Sequence, residues 1–164
     1  MFERFTESAR RVLFSSCEEA RASGSASVRS EHLLLAVIRA ADSIINPMLM
    51  KTGLSTDSVK EEISASQPPI PASVETPFHQ ESKRVLHYAS EEADRLLHAF
   101  LLSRDVWMGN DVAATDDSIG PEHLLLGLLR EDKAHAASIL ERHGITLDAA
   151  RIEVAQQRQG RKLQ

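Results

Sequence analysis

Apolar residues recur along most of this chain at the three-and-four spacing of helices, and no alternating run is long enough to suggest a strand. Ala9, Val12, Leu13, Ser16, Cys17 and Ala20 share one face of a first helix. Ser30 is placed to cap a second, which carries Leu33, Leu34, Val37 and Ile38. Pro47 starts or bends a third segment, which ends where Gly53 can take the C′ position. Ser55 caps a fourth helix with Asp57 in its first turn, favoured by the positive end of the helix dipole, and with Val59 and Ile63 on its apolar side.

The pattern then repeats itself. Glu31-His32-Leu33-Leu34-Leu35-Ala36-Val37-Ile38-Arg39 returns 91 positions later as Glu122-His123-Leu124-Leu125-Leu126-Gly127-Leu128-Leu129-Arg130, and the offset holds through Gly53/Gly144 and Asp57/Asp148. Upstream, Phe5–Leu13 and Glu18-Glu19-Ala20 pair with Phe78–Leu86 and Glu91-Glu92-Ala93 at an offset of 73. The second copy therefore carries an 18-residue insertion within 94–118. Leu96, Leu97, Phe100 and Leu101 continue a helical stripe, which predicts a helix lengthened to about Leu102 and an exposed loop beyond it. Neither unit is large enough to bury much surface alone. The expectation is an all-α fold: two pseudo-symmetric four-helix repeats packed as one eight-helix domain.

Composition narrows the function classes. The 164 residues carry a formal charge of −5 and 4% aromatics, a poor match for a nucleic-acid surface, and no stretch approaches membrane-spanning length. The single cysteine, Cys17, excludes an intrachain disulfide and a Cys-rich zinc site, and its place on an apolar stripe reads as core. None of the seven glycines precedes a lysine, so there is no P-loop. Met-Phe-Glu-Arg at the start lacks an apolar signal region, so a cytoplasmic protein is expected.

The doubled Phe-Thr-Glu-x-Ala-x-x-Val-Leu, Glu-Glu-Ala, Glu-His-Leu-Leu-Leu-x-x-x-Arg and Leu-x-x-x-Gly pattern resembles the Clp N-terminal (Clp R) domain. It is most similar to the N domain of ClpC-type AAA+ unfoldases, here without the ATPase modules: a free-standing N domain or a piece of a longer protein. On this resemblance the domain spans 1–154, with repeat 1 at 1–65, a linker at 66–74, repeat 2 at 75–154 and a flexible tail at 155–164. The resemblance implies a non-catalytic module that binds proteins (Clp substrates, adaptors or Clp ATPase and protease subunits) in regulated proteolysis or quality control, with no cofactor, no metal, no nucleic acid and no membrane.

It also implies ligand-binding positions. Glu31 and Glu122, in the first turns of equivalent helices, match glutamates that help bind phosphoarginine on substrates, although helix-dipole stabilisation alone would explain them. A carboxylate can hold the guanidinium while a helix N-terminus takes the phosphoryl group. Thr6 matches the phosphate-side threonine and would cap the first helix; with Glu31 it forms the first-copy site. In the second copy His79 replaces that threonine. There Thr76-Pro77 is a better cap, so the helix is expected to begin a turn early and bury the amides of a site formed by His79 and Glu122.

His32 and His123 lack metal-ligand spacing and read as structural. Trp107 and Met108, in the insertion, are either a tolerated surface loop or an interface anchor. Two further readings stand beside the binding module: a structural accessory subunit of a Clp protease assembly and, remotely, a small hydrolase, for which no nucleophile-elbow motif is present.

Overall fold

The structure, a computed structural model, describes residues 2–63, 71, 74–103 and 117–162. Trp107 and Met108, and all of the 66–74 linker except residues 71 and 74, lie outside those residues. Eight helices are present among them: α1 Glu7–Ala22, α2 Ser30–Arg39, α3 Asn46–Thr52, α4 Thr56–Glu62, α5 Gln80–Ser103, α6 Pro121–Arg130, α7 His135–Arg142 and α8 Leu147–Lys162. The expected all-α architecture of two four-helix repeats is what forms.

The Glu-His-Leu-Leu-Leu blocks become the centre of the molecule. Nearly every side chain of α2 and α6 is buried. A helix apolar on all sides is stable only when surrounded, and α1 and α5 cover the two central helices. The approach of α5 to α6 is the tighter. A Cβ on Gly127 would lie 2.5 Å from the Val85 carbonyl oxygen and 3.0 Å from the Ala89 nitrogen. Gly53 and Gly144 follow α3 and α7 with φ of 69° and 80°, the left-handed conformation anticipated for both.

The repeats are joined crosswise. Phe5 of repeat 1 pairs with Ile119 of repeat 2, and Val28 of repeat 1 pairs with Phe78 of repeat 2, each as an isolated parallel bridge. Lys51 of α3 meets Glu153 of α8 at 3.1 Å, and its repeat counterpart Arg142 of α7 meets Glu62 of α4. The same contact is thus made twice, once in each direction across a pseudo-twofold axis.

Three expectations change. Helix α5 starts at Gln80 rather than a turn early, because the Val28 N–H donates to the Pro77 carbonyl (2.8 Å) and the His79 N–H to the Val28 carbonyl (2.9 Å), keeping 77–79 extended. Ser30 is the first residue of α2, and Arg29 takes the cap position. The tail expected to fray from 155 is helical to Lys162: Val154 is buried, Gln157 bonds Glu153, and Arg158 reaches His123 at 2.8 Å. The insertion lengthens α5 as anticipated, to Ser103.

Candidate functional site

Crosswise joining makes each candidate site a composite of both repeats. The α5 N-terminus abuts the start of α2 through the Val28–Phe78 bridge, and the α1 N-terminus abuts the start of α6 through the Phe5–Ile119 bridge. His79 therefore neighbours Glu31, and Thr6 lies on the side of Glu122. The expected pairings of Thr6 with Glu31 and of His79 with Glu122 do not form.

At the first junction two carboxylates converge on one guanidinium. Glu81, at the second position of α5, accepts the Ser30 N–H at 3.0 Å and so satisfies an orphan amide of α2. Glu31 accepts the Ser30 hydroxyl at 3.2 Å. Arg29 Nε lies 3.7 Å from Glu81 and 4.0 Å from Glu31. The two carboxylate side chains are 14% and 13% exposed, and Arg29 is 50% exposed. Burial by itself would raise the Glu81 carboxyl, but the Ser30 donors together with Arg29 and His79 outweigh it and hold the group below the ordinary carboxylate range. His79 stands at the rim, with Nδ1 4.0 Å from Glu81.

The second junction is built differently. Thr6 caps α1 by accepting the Ala9 N–H at 3.1 Å, as anticipated. Gly120 and Pro121 take the places of Arg29 and Ser30, and Ser8 that of Glu81. Glu122 is only 7% exposed, and Arg158 Nε from α8 lies 3.8 Å away. Here the glutamate is enclosed by the domain itself.

The paired histidines have a capping role. His32 Nδ1 accepts the Arg29 N–H at 3.0 Å, and His123 Nδ1 accepts the Gly120 N–H at 2.9 Å, each reaching back from the third helical position to the cap. Burial pushes the His32 pKa below 6.5, with Glu31 opposing, and keeps Nδ1 free to accept. Between the folded and unfolded values the unfolded chain binds the extra proton. This contribution to stability is therefore complete above about pH 6.5 and is lost as pH falls through that value towards the folded pKa. Urea unfolding at about pH 7.5 and 5.5 should show a smaller pH-dependent loss in His32→Gln, which can still accept at that position. An equal loss in both proteins would remove His32 as the cause.

Between the N-terminal segment and α5 runs a groove of about 430 Å³ lined by Phe2, Phe5, Leu86 and Ile119 with Lys83 and His87 along it. Cys17 is half-buried, and burial first of all raises its thiol pKa, the opposite of what an activated nucleophile needs. No helix among the described residues is long and apolar enough to cross a membrane.

Sequence reasoning missed Arg29, Glu81 and Arg158. The signal for the first two was present as differences between the copies, Arg29 against Gly120 and Glu81 against Ser8. Arg158 had no counterpart to compare.

The sequence matches the family described as the Clp repeat (R) N-terminal domain over residues 4–109 and 112–162. It is 33% identical over 160 residues to the chaperone protein ClpB of Oceanobacillus iheyensis, covering 95% of this chain. It is 31% identical over 157 residues to the negative regulator of genetic competence ClpC/MecB of Bacillus subtilis, again covering 95% of this chain. The chain spans 17% of the length of each of these relatives. The N-terminal domain of the chaperone ClpD from Arabidopsis thaliana superposes with a TM-score of 0.68 at 25% identity, covering 97% of both chains. The Hsp104 N-terminal domain of Candida albicans shares the fold, with a TM-score of 0.64 and 16% identity.

Proposed function

The chain belongs to the Clp repeat (R) N-terminal domain family, and from that premise we propose that it is a non-catalytic, cytoplasmic protein-recognition module that recruits arginine-phosphorylated proteins to a Clp-type ATPase for unfolding or proteolysis. The observation that carries this reading is the convergence of Glu31 and Glu81 on a guanidinium at the paired N-termini of α2 and α5. Two carboxylates so placed suit the nitrogen side of a phosphoarginine. The α5 N-terminus and the half-exposed His79 suit its phosphoryl oxygens. The groove along α5 offers apolar contact to neighbouring residues of an extended segment.

Thr6 and Glu122 take a lesser part in this proposal, because Glu122 is already enclosed with Arg158. Calorimetric titration with a phosphoarginine-bearing peptide tests it. Glu31→Gln should weaken binding by about 10- to 100-fold, the cost of losing a hydrogen bond to a charged group. Unchanged affinity in that variant would move the site elsewhere.

A further inference from the structure

Both glutamates of the repeated motif already hold a guanidinium from this chain, and the two arrangements differ in how easily it could be displaced. Arg158 meets Glu122 where the side chains are 23% and 7% exposed, and it also bonds His123. Arg29 is half-exposed and stands 3.7 Å and 4.0 Å from its carboxylates, beyond hydrogen-bond length. Its side chain makes no capping bond; its backbone alone starts α2, donating to His32 Nδ1 and accepting from the His32 and Leu33 N–H groups. Gly120 starts α6 in the same way with no side chain at all. Nothing in the architecture of the helix start requires an arginine at 29.

We propose that Arg29 is an internal competitor for the guanidinium seat formed by Glu31 and Glu81, and that it sets a low affinity for an incoming phosphoarginine side chain. The proposal rests on the reading of that junction given above. An incoming ligand must turn Arg29 out towards solvent before its own guanidinium group can face both carboxylates. The half-exposed Arg29 side chain has room to make that move, whereas Arg158 is pinned. Affinity at this junction is therefore adjustable by one side chain that the fold does not need.

The test is calorimetric titration of the full chain with a phosphoarginine-bearing peptide, comparing wild type, Arg29→Gly, Arg29→Ala and Arg29→Lys. Arg29→Gly copies Gly120, and Arg29→Ala serves should the glycine variant fail to fold. Removing the half-exposed cation of a loose ion pair should tighten binding by about two- to fivefold. Arg29→Lys should stay near wild type, and the gap between wild type and the neutral variants should narrow as salt screens the pair. Binding by wild type that is unchanged or weaker in both neutral variants overturns the competitor while leaving the phosphoarginine reading intact. Binding by the neutral variants and none by wild type supports the competitor in its strongest form. Absence of binding in every protein overturns both.

Discussion

Glu92→Ala is expected to destabilise the domain by about 3–5 kcal/mol, the cost of removing one partner from a buried ion pair. The Glu92 side chain is fully buried. It accepts from Arg151 at 3.0 and 2.6 Å and lies 3.3 Å from Arg130. The Glu92 hydrogen bonds are the main reason the Arg151 pKa is raised. Without the carboxylate, Arg130 keeps Glu91 at 2.7 Å and the Tyr88 ring at 4.5 Å. Among the described residues Arg151 then keeps only the exposed Asp148, at 3.8 Å, as an ion-pair contact, and its largely buried charge is left poorly compensated.

Repeat 1 supplies an internal comparison. Glu19, the counterpart of Glu92, pairs with a half-exposed Arg39, and Lys60 stands where Arg151 stands. Glu19→Ala should therefore cost less, about 1–3 kcal/mol. At about 2–4 °C per kcal/mol for a chain of this size, Glu92→Ala should melt about 6–20 °C below wild type. Thermal and urea unfolding followed by circular dichroism give both numbers. A Glu92→Ala protein no less stable than Glu19→Ala would contradict this account of the pair.

The second large effect is expected at Gly127→Ala. In most helices this change would stabilise by about 1 kcal/mol. Here the new methyl would sit 2.5 Å from a backbone oxygen of α5, which cannot rotate away as a side chain could. Helix α5 must shift as a unit, and overpacking of this kind costs about 1–3 kcal/mol net of repacking. Ala36 occupies the same position in repeat 1, so α1 and α2 already leave room for a methyl group. The paired experiment is Ala36→Gly, which should cost about 1–2 kcal/mol through helix propensity and the loss of a buried methyl group. Increased stability in Gly127→Ala would show that the helices separate at little cost.

These two residues show what could be read from the sequence. The doubled pattern disclosed the helices, their order, the glycine stops and the lengthened α5, because each depends on local spacing and on capping chemistry. Glu92 and Gly127 were visible as members of the repeat, but their burial partners belong to other helices. The same division explains the candidate site. Offsets of 91 and 73 align each copy with itself and say nothing of how one copy sits on the other. The Phe5–Ile119 and Val28–Phe78 bridges are contacts between copies, so the exchange of Thr6 and His79 between Glu31 and Glu122 had no local signature. The start of α5 shifted for the same reason: Thr76-Pro77 is a sound capping pair, overridden by an inter-repeat bridge. The added turns of α8 are stabilised by Arg158 on His123, a contact between residues 35 positions apart.

The difference between the copies now has a physical meaning. Repeat 2 has the stronger structural half, with the Glu92 cluster, the close α5–α6 contact and a glutamate enclosed by α8. The junction of α2 with α5 holds its guanidinium loosely. In the proposed account the duplication has thus divided its labour, one glutamate serving the fold and the other recognition.

The most direct measurement is calorimetric titration of the wild-type chain with two peptides that differ only in the phosphoryl group on one arginine. The account predicts saturable binding of the phosphorylated peptide, abolished or strongly weakened by Glu31→Gln, and at least tenfold weaker binding of the unmodified one, about 1.4 kcal/mol. Equal affinity for the two peptides, or none for either in wild type and Arg29→Gly alike, would contradict it.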